Sequence, residues 1–194
     1  MKLNPALNLV IPIEQEGGTI YVHATPPSAE VFDRYFLPIS KTFAEIYNSG
    51  LGITAGPRVA AKLLKKVSIE MGAWDGPLGV EAGLVNEFHR LSNVIGADSQ
   101  IVPLQDIIDK KLIDADDLSE VENALSFFCV ACTMHLKRER RPVLEGAAAL
   151  WGAQITSLSC TEFKDSLRTS TVVASTGVTQ TSEPALAVGL QIPS

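Results

Sequence analysis

Between Ala29 and Gly152 the large apolar residues recur at three- and four-residue spacing, and beyond Ala153 they become sparse. That contrast limits the chain more than any single motif does. A repeating stripe of this kind buries one face of a helix. The 41 residues from Gln154 to Ser194 hold seven serines, seven threonines and five charged residues. Such a stretch has few large groups with which to offset the entropy of ordering. The expected fold is mainly α: a multi-helix bundle with a short N-terminal β-hairpin and a flexible C-terminal tail. In domain terms, residues 1–153 form a helical body with the hairpin at 9–24, 154–167 a docked or semi-ordered segment, and 168–194 a mobile tail.

The hairpin is read from two apolar runs. Leu9, Val10, Ile11 and Ile13 are one, and Ile20, Tyr21 and Val22 the other, with Glu14 to Gly18 reversing the chain between them. Pro12 places the first strand at a sheet edge. Ser28 then caps a helix from Ala29 to Asn48, which Pro38 kinks or splits. A second helix starts at Pro57 and ends near Gly72. A third covers Val80 to Ile95, with Leu84, Val85, Phe88, Leu91, Ser92 and Ile95 on one face. Pro103 starts a short helix. Asp114 or Asp116 caps a longer one reaching Arg138, with Leu136 facing inward and Lys137, Arg138 and Arg140 in its last turn, where the helix dipole favours cations. An alanine-rich helix from Val143 to Gly152 closes the body.

Composition narrows the functional classes. A net charge of −6 disfavours non-specific nucleic-acid binding, which needs clustered positive charge. No apolar run is long enough to predict a membrane span, and no secretory signal is expected at the N-terminus. Three cysteines suit a reducing cytoplasm better than a disulfide framework.

Few residues suggest chemistry. Cys129, Cys132 and His135, with Cys160 downstream, have the ligand types of a zinc site. They lie in a helix-like apolar run without the turn that a zinc knuckle needs, so core packing is the preferred reading. The acidic residues from Asp106 to Glu122 lack the central glycine of a calcium loop and read as caps and a solvated face. Arg58, Lys62, Lys65 and Lys66 share one helical face, as solvated cations commonly do. No catalytic residue, cofactor or metal is expected, and no G-x-S-x-G, P-loop or G-x-G-x-x-G sequence occurs.

Several segments together resemble a family. They are Met1 to Pro12 (MKLNPALNLVIP), Tyr21 to Pro26, Phe36 to Tyr47 (FLPISKTFAEIY), Ala55 to Leu63 (AGPRVAAKL), Glu81 to Leu91 (EAGLVNEFHRL), Val121 to Phe128 (VENALSFF) and Trp151 to Leu167 (WGAQITSLSCTEFKDSL). In overall texture, and without a diagnostic motif, they are similar to the tail assembly chaperones of long-tailed bacteriophages. The resemblance implies a non-enzymatic protein of the host cytoplasm, left out of the mature virion. It implies that the chain binds the tape measure protein, keeps it soluble and helps recruit the tail tube protein. It also implies a longer form of the chain made by ribosomal frameshifting, with divergence after about Leu167. A homo-oligomer is compatible; nucleic acid and membrane are not expected partners. Phe36 and Phe43 are the candidate partner-binding residues, although burial in the core is the preferred reading of each. The alternative functions are a minor structural protein of the virion and a thiol- or zinc-dependent enzyme using Cys129, Cys132 and His135.

Overall fold

The computed structural model describes residues 7–175. Its organising element is an antiparallel five-stranded sheet, β4-β3-β2-β1-β5, with helices packed on both faces. The expected helical bundle with an isolated hairpin is therefore incorrect: the fold is a mixed one of α and β. Residues 176–194, which carry much of the Ser/Thr-rich tail, lie outside the described residues.

Strands β1 (Asn8–Gln15) and β2 (Gly18–Ala24) form the hairpin, in register from Leu9↔Ala24 to Gln15↔Gly18. Gly18 sits at φ +114°, which a side chain would resist. Strand β1 is not at the edge, because β5 pairs beside it. That pairing covers only Asn8, Leu9 and Val10. Pro12 lies beyond it, where a missing N–H costs no ladder bond to β5.

Ser28 caps α1 (Ala29–Arg34), its Oγ accepting the Val31 N–H. The chain breaks at Tyr35 and restarts as α2 (Phe36–Asn48). The break falls three residues before Pro38, which sits in the first turn of α2, where no intrahelical N–H bond is lost. A short helix, α3 (Gly52–Ala55), and a 3-10 turn (Gly56–Arg58) lead into α4 (Ala60–Glu70).

The expected helix from Val80 to Ile95 is cut short. A π-helical turn (Glu81–Val85) runs into α5 (Asn86–Arg90), and Ser92–Ile95 is strand β3. Ser92 Oγ donates to the Phe88 carbonyl at 2.7 Å, which closes the helix and frees the chain to pair with β2. Strand β4 (Ile101–Pro103) and α6 (Leu104–Asp109) follow.

Helix α7 (Ala115–Met134) is the centre of the fold, with Asp114 Oδ1 accepting the Asp117 N–H as its cap. Every residue from Asn123 to Cys132 is buried, because α2, α4, α8 and β1 surround it. A helix apolar on all sides needs such an enclosure. It stops at His135, short of Arg138, and Leu136 is exposed, contrary to its expected inward position. Arg138 and Arg140 belong instead to the start of α8 (Lys137–Ala149), the wrong end for the dipole. Arg140 Nε donates to the His135 carbonyl at 2.9 Å and so satisfies an end group of the preceding helix.

After α8, Gly152 at φ +74° turns the chain into β5 (Gln154–Thr156). Helix α9 (Cys160–Ser175) then crosses the sheet face opposite α7. Ser159 and Glu162 form a reciprocal capping box at its start. Phe163 is buried there against Val10 and Ile95, edge-on to Tyr21 at 5.7 Å between ring centroids. Asn8 Nδ2 and His23 Nε2 both donate to the Leu158 carbonyl, at 2.8 and 3.0 Å, and pin the entry to the helix.

Candidate functional site

Two residues of α2 face the same way by helical spacing, Phe36 and Phe43, seven positions or about two turns apart. Phe36 is 50% exposed and lines a groove of about 470 Å³. The groove is walled by Leu7, by Pro26 and Pro27 after β2, by Phe32 of α1 and by Thr133 of α7. Asp33 and Arg140 put one charge of each sign along it. Phe43 does not line this groove. It is half-buried against the main core, stacked on Tyr47 with ring centroids 4.4 Å apart and edge-on to His135 at 5.8 Å. Leu37 and Tyr47 are also exposed, near the two ends of α2.

This surface has a local cause. Ser28 fixes the start of α1, and the two prolines before it hold the loop extended. The break at Tyr35 swings α2 so that its first turn, with Phe36, opens outward. Sequence reasoning reached Phe36 but missed Leu7, Phe32 and the proline pair as its neighbours. A Pro-Pro step ahead of an N-cap serine was the signal that could have marked the groove.

The cysteine cluster is dispersed by the fold. Cys129 and Cys132 belong to the main core, whereas Cys160 packs with Val10, Ile95 and Phe163 on the other sheet face. Among the described residues no group of three His, Cys, Asp or Glu is placed to hold a metal ion. Burial pushes the Cys129 thiol well above its ordinary range, with neighbouring Cys132 adding to the rise. Burial also drives Cys132 up to about 12, slightly opposed by Arg140. Burial thus favours the neutral thiol at both positions, which disfavours a thiolate nucleophile.

The acidic run is used locally: Asp114 caps α7, and Glu122 hydrogen-bonds the buried His89 at 3.2 Å. Lys66 pairs with Glu45 at 3.1 Å, while Arg58, Lys62 and Lys65 edge a cleft beside α7.

No protein-family model matches this chain, and neither a curated protein nor a solved structure matches it. Any functional reading therefore rests on the residues themselves.

Proposed function

We propose that this chain is a non-enzymatic assembly factor that holds an apolar helical stretch of a partner in the groove at Phe36. In its most specific form it is a phage tail assembly chaperone. It would bind the tape measure protein in the host cytoplasm, keep it soluble and help recruit tail tube subunits. The observation that carries the reading is the half-exposed Phe36 on the wall of an apolar groove, with Leu37 and Tyr47 exposed on the same helix. A large aromatic side chain left half-exposed on the wall of a groove is a common mark of a contact site. An amphipathic client helix would insert side chains at three- and four-residue spacing into such a groove. The sequence segments that resemble tail assembly chaperones supply the identity of the client. A longer, frameshifted form of the chain would share the groove, since Leu7 to Arg140 precede the point of divergence.

Co-expression with a tape measure protein tests this reading. The client should be soluble with the chain and aggregate without it. A tape measure equally soluble in both cases would count decisively against it.

A further inference from the structure

The seam between α4 and α7 opens into two adjoining hollows of about 380 and 200 Å³. Lys62, Ser119 and Asn123 line both, so the hollows form one trench. The chain has two tryptophans, and the trench holds both: Trp151 in the larger hollow and Trp74 in the smaller. Its floor is built from polar side chains already tied to the protein. Asn123, 4% exposed, spends both ends of its amide on Ala61 and Ser119. His89, 8% exposed, is held by Glu122. That floor is preorganised and needs no ligand to complete it.

The walls are different. Arg58, Lys62 and Lys65 stand along one side and Asp116 and Glu120, one helical turn apart, along the other. Among the described residues none of these five forms an ion pair. Lys65 meets the face of Trp74 instead, with Nζ 5.2 Å from the ring centroid. The indole Nε1 of Trp151 is buried without an acceptor among the described residues. Opposite charges that line one cleft without meeting leave it complementary to a ligand carrying both signs. A purely acidic or purely basic ligand, nucleic acid included, would meet a repulsive wall on one side.

We propose that this trench docks an α-helical segment of a partner protein bearing an acidic row and a basic row on either side of a strip of small residues. The acidic row faces Arg58, Lys62 and Lys65. The basic row faces Asp116 and Glu120, with the aliphatic stems of its lysines or arginines lying on Trp151. The site is separate from the groove at Phe36 and does not depend on the chaperone reading.

Three alanine-based helical peptides of about 20 residues, long enough to be helical in water, provide the test. One carries a glutamate row and a lysine row, one glutamate alone and one lysine alone, and none contains tryptophan. Each is titrated into the full chain and followed by tryptophan fluorescence and calorimetry. The mixed peptide should bind at least about tenfold more tightly than either single-sign peptide, and increasingly weakly as salt is raised. The exposed double substitution Arg58→Glu/Lys62→Glu should abolish that preference, and Phe36→Asp should leave it intact. A mixed peptide that binds no better than the single-sign peptides would overturn the proposal. So would one whose affinity survives the double substitution, or one that is lost with Phe36→Asp.

Discussion

Asn123 Oδ1 accepts the backbone N–H of Ala61 at 2.9 Å. The bond joins two helices through a group that helix formation alone leaves open. Ala61 lies in the first turn of α4, and Val59 before it offers no side-chain cap. Asn123 therefore caps α4 from α7, while its Nδ2 donates to the Ser119 carbonyl at 2.7 Å. Replacement by alanine should destabilise the fold by about 1–3 kcal/mol, the usual cost of an orphaned buried donor. Asn123→Asp retains the acceptor for Ala61 but loses the donor to Ser119 and buries a carboxylate, so it should not restore full stability. The urea midpoints of the two variants check this, with an unchanged midpoint for alanine as the contrary result.

The π-helical turn is fitted around one absent side chain. A Cβ at Gly83 would overlap Tyr35 Oη, whose hydroxyl donates to the Leu78 carbonyl at 3.3 Å. Gly83→Ala should cost on the order of 1–3 kcal/mol, as overpacking does. Removing the hydroxyl in a Tyr35→Phe background should recover part of that cost, because the ring edge still crowds the new methyl. A double-mutant cycle gives the coupling. Strict additivity would show that the two positions do not meet.

The two core thiols make stability fall in alkali. Their folded pKa values are raised by burial, so the folded state holds protons that the unfolded chain releases near pH 9.0. The contribution of Cys132 is fully present below that value and is lost as the pH climbs toward about 12, and Cys129 acts in the same direction. Cys132→Ala should flatten this part of the stability profile, measured by denaturant unfolding between pH 8 and about 11. At neutral pH a thiol reagent should label the half-buried Cys160 well before Cys129 or Cys132, which become reactive only on unfolding.

Parts of the fold were legible where one local cause dominates. Ser28 and Asp114 cap the helices expected of them, and the hairpin follows from its two apolar runs. The sheet was not legible, since β3, β4 and β5 are only three or four residues long and each is made a strand by its neighbour. Ser92 and Ile95 also fit helical spacing, and the Ser92 bond to Phe88 and the pairing with β2 and β4 decide otherwise. The end of α7 was missed for a similar reason: Leu136 continues the apolar stripe, but the chain breaks at His135 and leaves it exposed. The Ser159–Glu162 box marks the start of α9 within a stretch whose composition alone suggests no helix, and its three-residue spacing was the signal missed. For the candidate site, of the two residues singled out in the sequence only Phe36 lines the groove, and the walls contributed by Leu7 and Pro26–Pro27 come from distant segments that meet only in the folded chain.

The central claim is that Phe36 forms part of a client-binding wall. Phe36→Asp changes a half-exposed side chain and should leave the thermal unfolding of the chain nearly unaltered. The most direct measurement is the soluble fraction of a co-expressed tape measure protein, compared for the native chain, the Phe36→Asp chain and no chain at all. The account predicts a soluble client with the native chain and an aggregated one in the other two cases. A client that stays as soluble with Phe36→Asp as with the native chain would contradict the groove, and one that is soluble without any chain would contradict the chaperone function itself.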